Sequence, residues 1–524
     1  MTLDPTAVNR TLPGPADGQL PSSSFKQGSS EWWIERLSKA LAMRQRRFDL
    51  LEAYYRGTQR LSDLASQAWR ESDVSRMFPN FLSANHSKLI VNAAAGRLVV
   101  LGFRLGMDEP DADDEAARIW GENEMEAESE KAIIESLVKG ECPVLIEPNP
   151  RDPATPIITA QQPNNVIVWT PAGDRRIRLA ALKTWWDDDA RRRLYILYFP
   201  DHIEYWQDRQ PNQMDWFMNQ LFATTPAQWE RRTPAGKSSW WERNPLGEVP
   251  VVLLPNDPRL AGSPEGEHEA VLSRIDHYNK TLMDMAVTSH ELAYPQRYAS
   301  GVDGPADEVA VDATGTVAPA PRSGVQTGQN RWITVPSPDA TFGQFAAATL
   351  DQYVKALDQI RADIATDSFT PYHFLLNMPT SVPPSGESIT AAETALVDKC
   401  EGHQRDKGMG WRNAMRLAFL MTGDEERAQA MRHGEVIWGD AERRTESQHV
   451  DALSKLAADP IGVPQQAIWE RIPATPHEIR RWRRMKTAET LAAPDAAATD
   501  EPGDEPVGTN EPNGLDNSNP GGAT

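Results

Sequence analysis

The chain has 524 residues, enough for two to four domains or for one elongated subunit with several layers. Its 54 basic and 75 acidic side chains give a net charge of −21, the opposite of the cationic surplus with which proteins grip duplex DNA, so any DNA contact should be loose. Two cysteines exclude a disulfide framework or zinc ribbon, and no apolar run approaches the roughly 20 residues of a membrane span. We therefore expect a soluble intracellular protein, or one assembled inside a cell.

The segments before residue 140 are predicted to be mainly helical. Residues 1–30 form a polar, proline-rich arm without the pattern of a signal peptide. The next helix, from Glu31 to Arg56, has one apolar side, and Gly57 is a suitable stop because glycine adopts the left-handed geometry of a helix end. Further core-packing helices are predicted within 80–101 and 113–139, the second broken near Gly121.

Residues 142–254 have a different pattern. Short β-branched and aromatic runs alternate with Pro, Gly and Asp turns, which is typical of strands. These runs predict a mostly antiparallel sheet region between helical segments. The predicted fold class is therefore α+β rather than alternating βαβ.

Two helices are predicted around an insertion. The first runs from about Glu269 to Leu292, and residues 295–341 then form a Gly/Pro/Ala-rich insertion with few apolar anchors. The second helix carries one apolar stripe, formed by Leu350, Tyr353, Leu357, Ile360 and Ile364.

The loop after this second helix is unusual. It reads TPYHFLLNMPTSVPPSGES, with prolines at 371, 379, 383 and 384 and a hydrophobic run between them. Proline-rich loops are normally polar because they run over the surface, so this one is expected to press on something. A longer helix then runs from near Ser385 towards Met421, with Gly402, Gly408 and Gly410 as candidate kinks.

The C-terminal region combines a basic cluster with an acidic tail. The cluster consists of Arg480, Arg481, Arg483, Arg484 and Lys486 around Trp482. It could contact nucleic acid, although neutralising the tail or capping a helix C-terminus is the favoured interpretation. Residues 487–524 contain eight acids, no Lys or Arg and no aromatic residue, which predicts disorder.

No enzymatic motif is present. The sequence lacks the P-loop, GxGxxG, GxSxG and HExxH patterns, so we predict no catalytic residue, no cofactor and no metal. Asp187–Asp189 and His268–Glu269 are interpreted as solvated surface, and His373 in the proline-rich loop is isolated.

Several segments in order resemble one known family. They are LLEAYYRGTQRL, NFLSANHSKLIVNAAAGRLVVLGF, QQPNNVIVWTP, NPLGEVPVVLLPND, SRIDHYNKTLMDMAV, the run from RWITVPSPD to SFTPYHFLL, and SGESITAAETALVDKCEGHQRDKG. Over about 31–470 the chain resembles portal proteins from long-tailed phages of Gram-positive hosts. No single segment is diagnostic, but their order and spacing together are specific.

The resemblance implies a structural protein of the virion. Portal proteins form a ring, usually of twelve copies, at one vertex of a capsid assembled in the host bacterial cytoplasm. Double-stranded DNA, weakly bound, passes through the ring during packaging and ejection. The expected partners are further copies of the chain, the terminase motor, a head-completion or adaptor protein, and the major capsid and scaffolding proteins, with no membrane involved.

The resemblance also implies a division of the chain into a wing at 31–268, stem helices at 269–294 and 342–368, a clip at 295–341, a tunnel loop at 369–386, a long kinked helix at 387–421 and a crown at 422–486. Stem packing would use Ile275, Leu282, Met285, Leu350, Tyr353, Leu357 and Ile360. The clip would use Val309, Trp332 and Ile333. The tunnel loop would present Pro371, Tyr372, His373, Asn377, Thr380, Ser381 and Ser385 to the channel.

One feature does not fit a DNA-facing loop, which should be polar. Phe374, Leu375 and Leu376 are hydrophobic and could pack between neighbouring subunits, leaving the polar residues to reach the channel. Two alternatives stay open. One is another virion structural or scaffold protein without a channel, and the other is a soluble enzyme with an unrecognised site near Asp187–Asp189.

Overall fold

The computed structural model describes residues 25–59, 84–106, 112–209 except 172, 173 and 175, 229–259, 263–293, 297–300, 332–335, 341–344, 349–375, 386–442, 446–458, 463–464, 468–469, 472 and 476–492. The chain divides into two compact units, Met1–Pro473 and Ala474–Thr524. Within the described residues, no helix combines the length and apolar character needed to cross a membrane.

The described elements make an α+β fold, as predicted. The helices are α1 Ser30–Arg56, α2 His86–Ala95, α3 Asp114–Glu122, α4 Met125–Lys139, α5 Leu272–Ala293, α6 Asp351–Ser368, α7 Tyr372–Leu375, α8 Gly386–Thr422, α9 Glu425–Ala430, α10 Glu446–Ala457 and α11 Pro476–Ala492, with a 3₁₀ turn at Glu269–Val271. The strands are β1 Val100–Arg104, β2 Glu141–Glu147, β3 Ile157–Ala160, β4 Val166–Trp169, β5 Ala180–Asp187, β6 Arg192–Tyr198, β7 His202–Asp208, β8 Trp229–Arg231, β9 Trp241–Arg243, β10 Val251–Pro255, β11 Arg297–Ser300, β12 Trp332–Val335, β13 Thr341–Gln344 and β14 Glu435–Trp438.

Local sequence signals fix the ends of α1. The Ser29 side chain accepts a hydrogen bond from the Trp32 N–H (3.2 Å), which satisfies one of the free donors at the helix N-terminus. Gly57 ends the helix with φ of +72°, the left-handed conformation expected from the sequence. The break between α3 and α4 falls at residues 123–124, close to the predicted Gly121.

The prediction of a helix within 80–101 is wrong for the C-terminal end of that range. α2 stops at Ala95, and Val100 and Leu101 belong to β1. β1 pairs antiparallel with β14, with Phe103 opposite Val436. The local pattern could not reveal this strand because its partner lies more than 300 residues away in the sequence.

The sheets are mostly antiparallel, as predicted. The largest has six strands, in the order β4-β5-β6-β7-β8, with β9 pairing to β7. A second sheet has the order β10-β2-β3, and both of its pairs are antiparallel. The small sheet β12-β11-β13 contains a parallel pair, between β11 and β12.

Helix α1 covers one face of the six-stranded sheet. Ile34, Leu37 and Leu41 form a buried stripe along α1. They share a hydrophobic cluster with Leu182 of β5 and Leu197 of β6. The N-terminal helix and the strand region are therefore one packed structure rather than separate domains.

Helix α8 packs into the centre of the first unit. Trp411 and Phe419 are fully buried in a cluster that also contains Leu254 of β10. Gly410 allows the close approach, since a Cβ there would lie 2.5 Å from Leu254 Cδ2 and 2.8 Å from the Leu253 carbonyl oxygen. This glycine, suggested by the sequence as a kink, therefore has a packing role.

The chain after α8 continues in the same core. Ala428 and Met431, at and just after α9, are buried in the cluster that contains Trp411, and Val436 of β14 packs against it. The predicted crown boundary at 422 falls inside this core, and the division stays a prediction. In the C-terminal unit, α11 runs to Ala492 and so extends past residue 487, where the sequence suggested the tail begins.

The close approach at Gly410 gives a testable expectation. Gly410→Ala should lower the free energy of unfolding by about 1–3 kcal/mol because the added methyl overpacks against a backbone carbonyl. Gly402→Ala is the matched control in the same helix, where the nearest atom to a new Cβ is Arg405 Nη2 at 3.8 Å. The control should raise stability by roughly 0.5–1 kcal/mol through helix propensity. If urea denaturation gave the same change in unfolding free energy for Gly410→Ala and Gly402→Ala, the packing role of Gly410 would be contradicted.

Candidate functional site

Helices α5 and α6 pack along a shared apolar seam. Ile275, Leu357 and Ile360 are buried in one cluster, with Leu282 and Met285 partly buried against it. Tyr353 contacts α5 through its hydroxyl, 3.2 Å from Thr288 Oγ1, whereas Leu350 is a half-buried residue just before α6. The structure thus brings together most of the residues predicted for stem packing.

Polar contacts fix the register of the two helices. Arg361 of α6 lies over the Tyr278 ring of α5 and donates to its hydroxyl oxygen at 2.6 Å. Arg274 of α5 bridges two carboxylates of α6, Asp363 (3.0 Å) and Asp367. These contacts lie along the same pair, so sliding one helix past the other would break them together with the apolar seam.

The residues after α6, 369–375, are called the root segment below. Phe369 ends α6 in the left-handed conformation with φ of +53°, and the N–H of Thr370 donates to the Ala365 carbonyl (3.0 Å). Pro371 is buried, and Leu375 of α7 is buried in the cluster shared by α5 and α6. The hydrophobic run of the predicted tunnel loop therefore partly anchors this segment to α5 and α6.

His373 connects the root segment to α8. Its Nε2 lies 3.2 Å from Glu393 Oε1, and the other oxygen of Glu393 pairs with Arg97 (2.5 Å). Arg97 follows α2 and also donates to the Ala441 carbonyl at 2.6 Å. The four remaining predicted tunnel-loop residues, Asn377, Thr380, Ser381 and Ser385, lie outside the described residues.

A buried ionic cluster, called the junction below, joins α5 and α6 to α8. Glu267, two residues before the 3₁₀ turn that leads into α5, pairs with Lys399 and lies 3.1 Å from His403 Nε2. Lys399 also donates to the Ser368 carbonyl at the end of α6 (2.7 Å). One side chain of α8, that of Lys399, thus contacts both the segment just before α5 and the end of α6.

The junction continues to the sheet through a fully buried lysine. Lys407 donates to Asn256 Oδ1 at 2.8 Å, and Asn256, just after β10, donates to the Glu265 carbonyl at 3.0 Å. Burial lowers the pKa of Lys407 to about 8, and nearby Glu267 offsets this only in part.

The partners of Glu267 keep its carboxylate ionised. Burial alone would raise the pKa of Glu267, but the charge of Lys399 and the hydrogen bond with His403 outweigh it and hold that pKa well below its usual range. The carboxylate is therefore ionised throughout the neutral range, as a buried pair requires.

The sequence analysis missed the junction. A signal was present, since Lys399, His403 and Lys407 repeat every four residues and so lie on one face of α8. Polar residues at this spacing normally form a solvent-exposed face of a helix. Their role as partners of a buried carboxylate becomes visible only once this face of α8 is known to be packed against other elements. Glu267 had no local pattern around it that would mark it as their partner. The interpretation of the adjacent His268 as solvated surface is wrong, because His268 is fully buried and its Nε2 lies 3.2 Å from the Leu51 carbonyl oxygen.

The remaining predicted residues lie elsewhere. Trp332 and Ile333 are in β12, paired with Arg297 and Tyr298 of β11, whereas Val309 lies outside the described residues. The cluster of Arg480, Arg481, Arg483 and Arg484 is on α11, with Arg481 and Arg484 exposed.

The acidic run Asp187–Asp189 forms a turn. The Asp187 side chain accepts from the N–H groups of Asp189 and Ala190, both at 3.0 Å. Within the described ranges, no group of three or more His, Cys, Asp or Glu residues is arranged to hold a metal ion.

Comparison with a family model and with two relatives gives phage portal proteins each time. A family model described as "Phage portal protein, SPP1 Gp6-like" matches residues 34–490. The chain is 29% identical over 426 residues to the portal protein of Mycobacterium phage D29, and 28% identical over 429 residues to that of Mycobacterium phage L5. Each match covers 77% of this chain and 79% of the relative. The region matched by the family model contains α5, α6, the root segment and the junction.

The junction predicts a large effect of one neutral substitution. Glu267→Gln should lower the free energy of unfolding by about 3–5 kcal/mol at pH 7, because it removes the buried carboxylate that pairs with Lys399 and contacts His403. The folded-state pKa of Glu267 is depressed, so its contribution is present above the unfolded carboxyl pKa of about 4.3 and is lost as the pH falls through the folded value. The difference in unfolding free energy between the wild type and Glu267→Gln should therefore become smaller below about pH 4.

Asp451→Asn provides the control, because Asp451 forms an exposed pair with Lys455 one helical turn away on α10. This substitution should change the free energy of unfolding by no more than about 0.5 kcal/mol. Urea denaturation of both variants at pH 7 and pH 3 measures the difference. A Glu267→Gln effect as small as that of the control would rule out a stabilising junction.

Proposed function

Because this chain belongs to the SPP1 Gp6-like family of phage portal proteins, we propose that it forms a closed ring at one capsid vertex and provides the channel for double-stranded DNA. The ring would be the docking platform for the terminase motor during packaging and for the head-completion or adaptor protein afterwards. It would also contact the major capsid and scaffolding proteins, with twelve copies as the expected number. Assembly would take place in the cytoplasm of the host bacterium.

The extent of the family match carries this proposal. It covers residues 34–490, and portal proteins of this kind form rings that contact capsid and packaging components. The family is structural and non-enzymatic, so the chain is not an enzyme. Portal proteins are virion components at the capsid vertex.

We assign the stem to α5 and α6. The support is their shared apolar seam together with the Arg274 and Arg361 contacts, which make the pair a stiff unit. The sheet β12-β11-β13 joins the two helices in sequence and is assigned to the clip. The wing would be 31–268, the tunnel loop 369–386, the long helix 387–421 and the crown 422–486.

The charge distribution supports a channel that does not hold DNA tightly. The net charge is −21, and several stem cations are already engaged. Arg274 pairs with two aspartates, Lys280 with Asp284, and Arg361 with Asp358. A wall past which DNA slides should offer few unpaired cations to phosphates, since each such contact adds affinity.

Purified full-length protein should form rings with a central hole in negative-stain electron micrographs. Ring formation follows from family membership and needs no enzymatic cofactor. The experiment should be repeated over a series of salt concentrations, because salt screens the interactions between charged groups on copies of a chain whose net charge is −21. Absence of rings under all of these conditions would contradict the proposal.

Replacing residues 377–384 with a Gly/Ser segment of equal length should leave rings intact and stop DNA packaging. The expectation follows from assigning this segment to the channel. The control is the same replacement at 503–510, beyond the end of the family match at 490, which should leave packaging intact. Packaging is measured as the fraction of DNA-filled heads in phage-producing cells, and an unchanged fraction in the 377–384 variant would refute the tunnel-loop assignment.

A further inference from the structure

The root segment exposes three aromatic side chains within six residues. Phe369 is 58% exposed, Tyr372 46% and Phe374 36%. The neighbouring Leu375 is only 7% exposed because it anchors α7 to the stem cluster. The segment is therefore held firmly on its apolar anchor while its aromatic rings face outward, which is unusual for a surface without a partner.

The backbone conformation of Phe369 is a second indication that its side chain contacts a partner. Among the described residues, the non-glycine residues with positive φ are Glu124, Arg191, Asp257 and Phe369, and Phe369 is the one aromatic residue of this set. Glycine is the usual residue at this position of a helix end because it has no Cβ to clash. Phe369 thus carries a steric cost, yet its ring lies largely outside the core of its own subunit. Packing against the part of the subunit that the structure describes does not account for it.

The charges around the root segment disfavour DNA as the group that covers these rings. Lys399 lies over the Phe369 ring at 5.8 Å, but its ammonium already contacts Glu267 and the Ser368 carbonyl. His373 is paired with Glu393, and Arg274 with Asp367. Phosphate binding needs available cations, whereas these basic groups are used within the subunit. The surface is suited to an apolar protein partner.

We propose that Phe369, Tyr372 and Phe374 form the surface that each subunit presents to the next copy of this chain in the ring. This inference rests on the proposed ring. Copies in a closed ring meet through two different patches, so each subunit must carry a surface that fits another part of its neighbour. Aromatic residues are enriched at such contacts and often contribute most of their binding energy.

The location gives this contact a consequence for the channel. The three aromatic residues lie directly after the end of α6, which the junction fixes through Lys399, at the start of the segment 369–386 assigned to the tunnel loop. A contact here would set the spacing of neighbouring tunnel loops at their roots. Phe374, one of the hydrophobic residues that did not fit a DNA-facing loop, is then explained by contact between subunits.

Phe369→Gly and Phe369→Tyr test the proposal in the full-length protein. Phe369→Gly removes both the ring and the steric cost, so the Tm of the unassembled subunit should stay equal or rise. Its ring assembly, followed by native mass spectrometry and sedimentation velocity over a concentration series, should require at least about tenfold more protein. Phe369→Tyr keeps the aromatic ring and should assemble like the wild type. The double variant Tyr372→Ser and Phe374→Ser should be impaired like Phe369→Gly.

The outcomes separate this inference from the proposed function. Wild-type rings with normal assembly of Phe369→Gly and of the double variant would overturn the inference and leave the portal function intact. A lowered subunit Tm in Phe369→Gly would also count against it, because the ring would then have a structural role within the subunit. Failure of the wild type to form rings would overturn the proposed function, and the inference with it.

Discussion

The buried carboxylate of Glu267 is the interaction on which the arrangement of the central elements depends. It precedes α5, and its partners Lys399 and His403 are on α8. Lys399 in turn holds the carbonyl at the end of α6, while Lys407 on the same face reaches the end of β10 through Asn256. A buried charge is tolerated only when it is paired in good geometry, so these elements are constrained together.

This constraint places the root segment. α6 ends at Ser368, whose carbonyl accepts from Lys399, and Phe369 then turns the chain by adopting the left-handed conformation. Leu375 returns to the stem cluster, and His373 ties the segment to Glu393 of α8. The side chains left outside these contacts are aromatic, which is why a surface next to a proposed DNA channel is better suited to a neighbouring subunit than to phosphate.

Much of the fold could be predicted because the signals are local. The caps Ser29 and Gly57, the apolar stripe of α6 and the turn-bounded strands all follow from neighbouring residues. What could not be predicted depends on distant partners. β1 is a strand because β14 pairs with it, and the basic face of α8 is buried because Glu267 neutralises it. Most of the residues predicted for stem packing lie between α5 and α6, but their role in a stem stays a prediction. Asn377, Thr380, Ser381, Ser385 and Val309 lie outside the described residues and also stay predictions.

A cryo-electron microscopy map of the assembled full-length protein tests the central claim most directly. The account predicts a closed ring in which the α5–α6 pairs surround a central channel and Phe369, Tyr372 and Phe374 of every subunit are covered by the next copy. Glu267 should be buried against Lys399 and His403 within each subunit. A ring without a continuous channel, or one in which the three aromatic side chains face solvent or DNA, would contradict it.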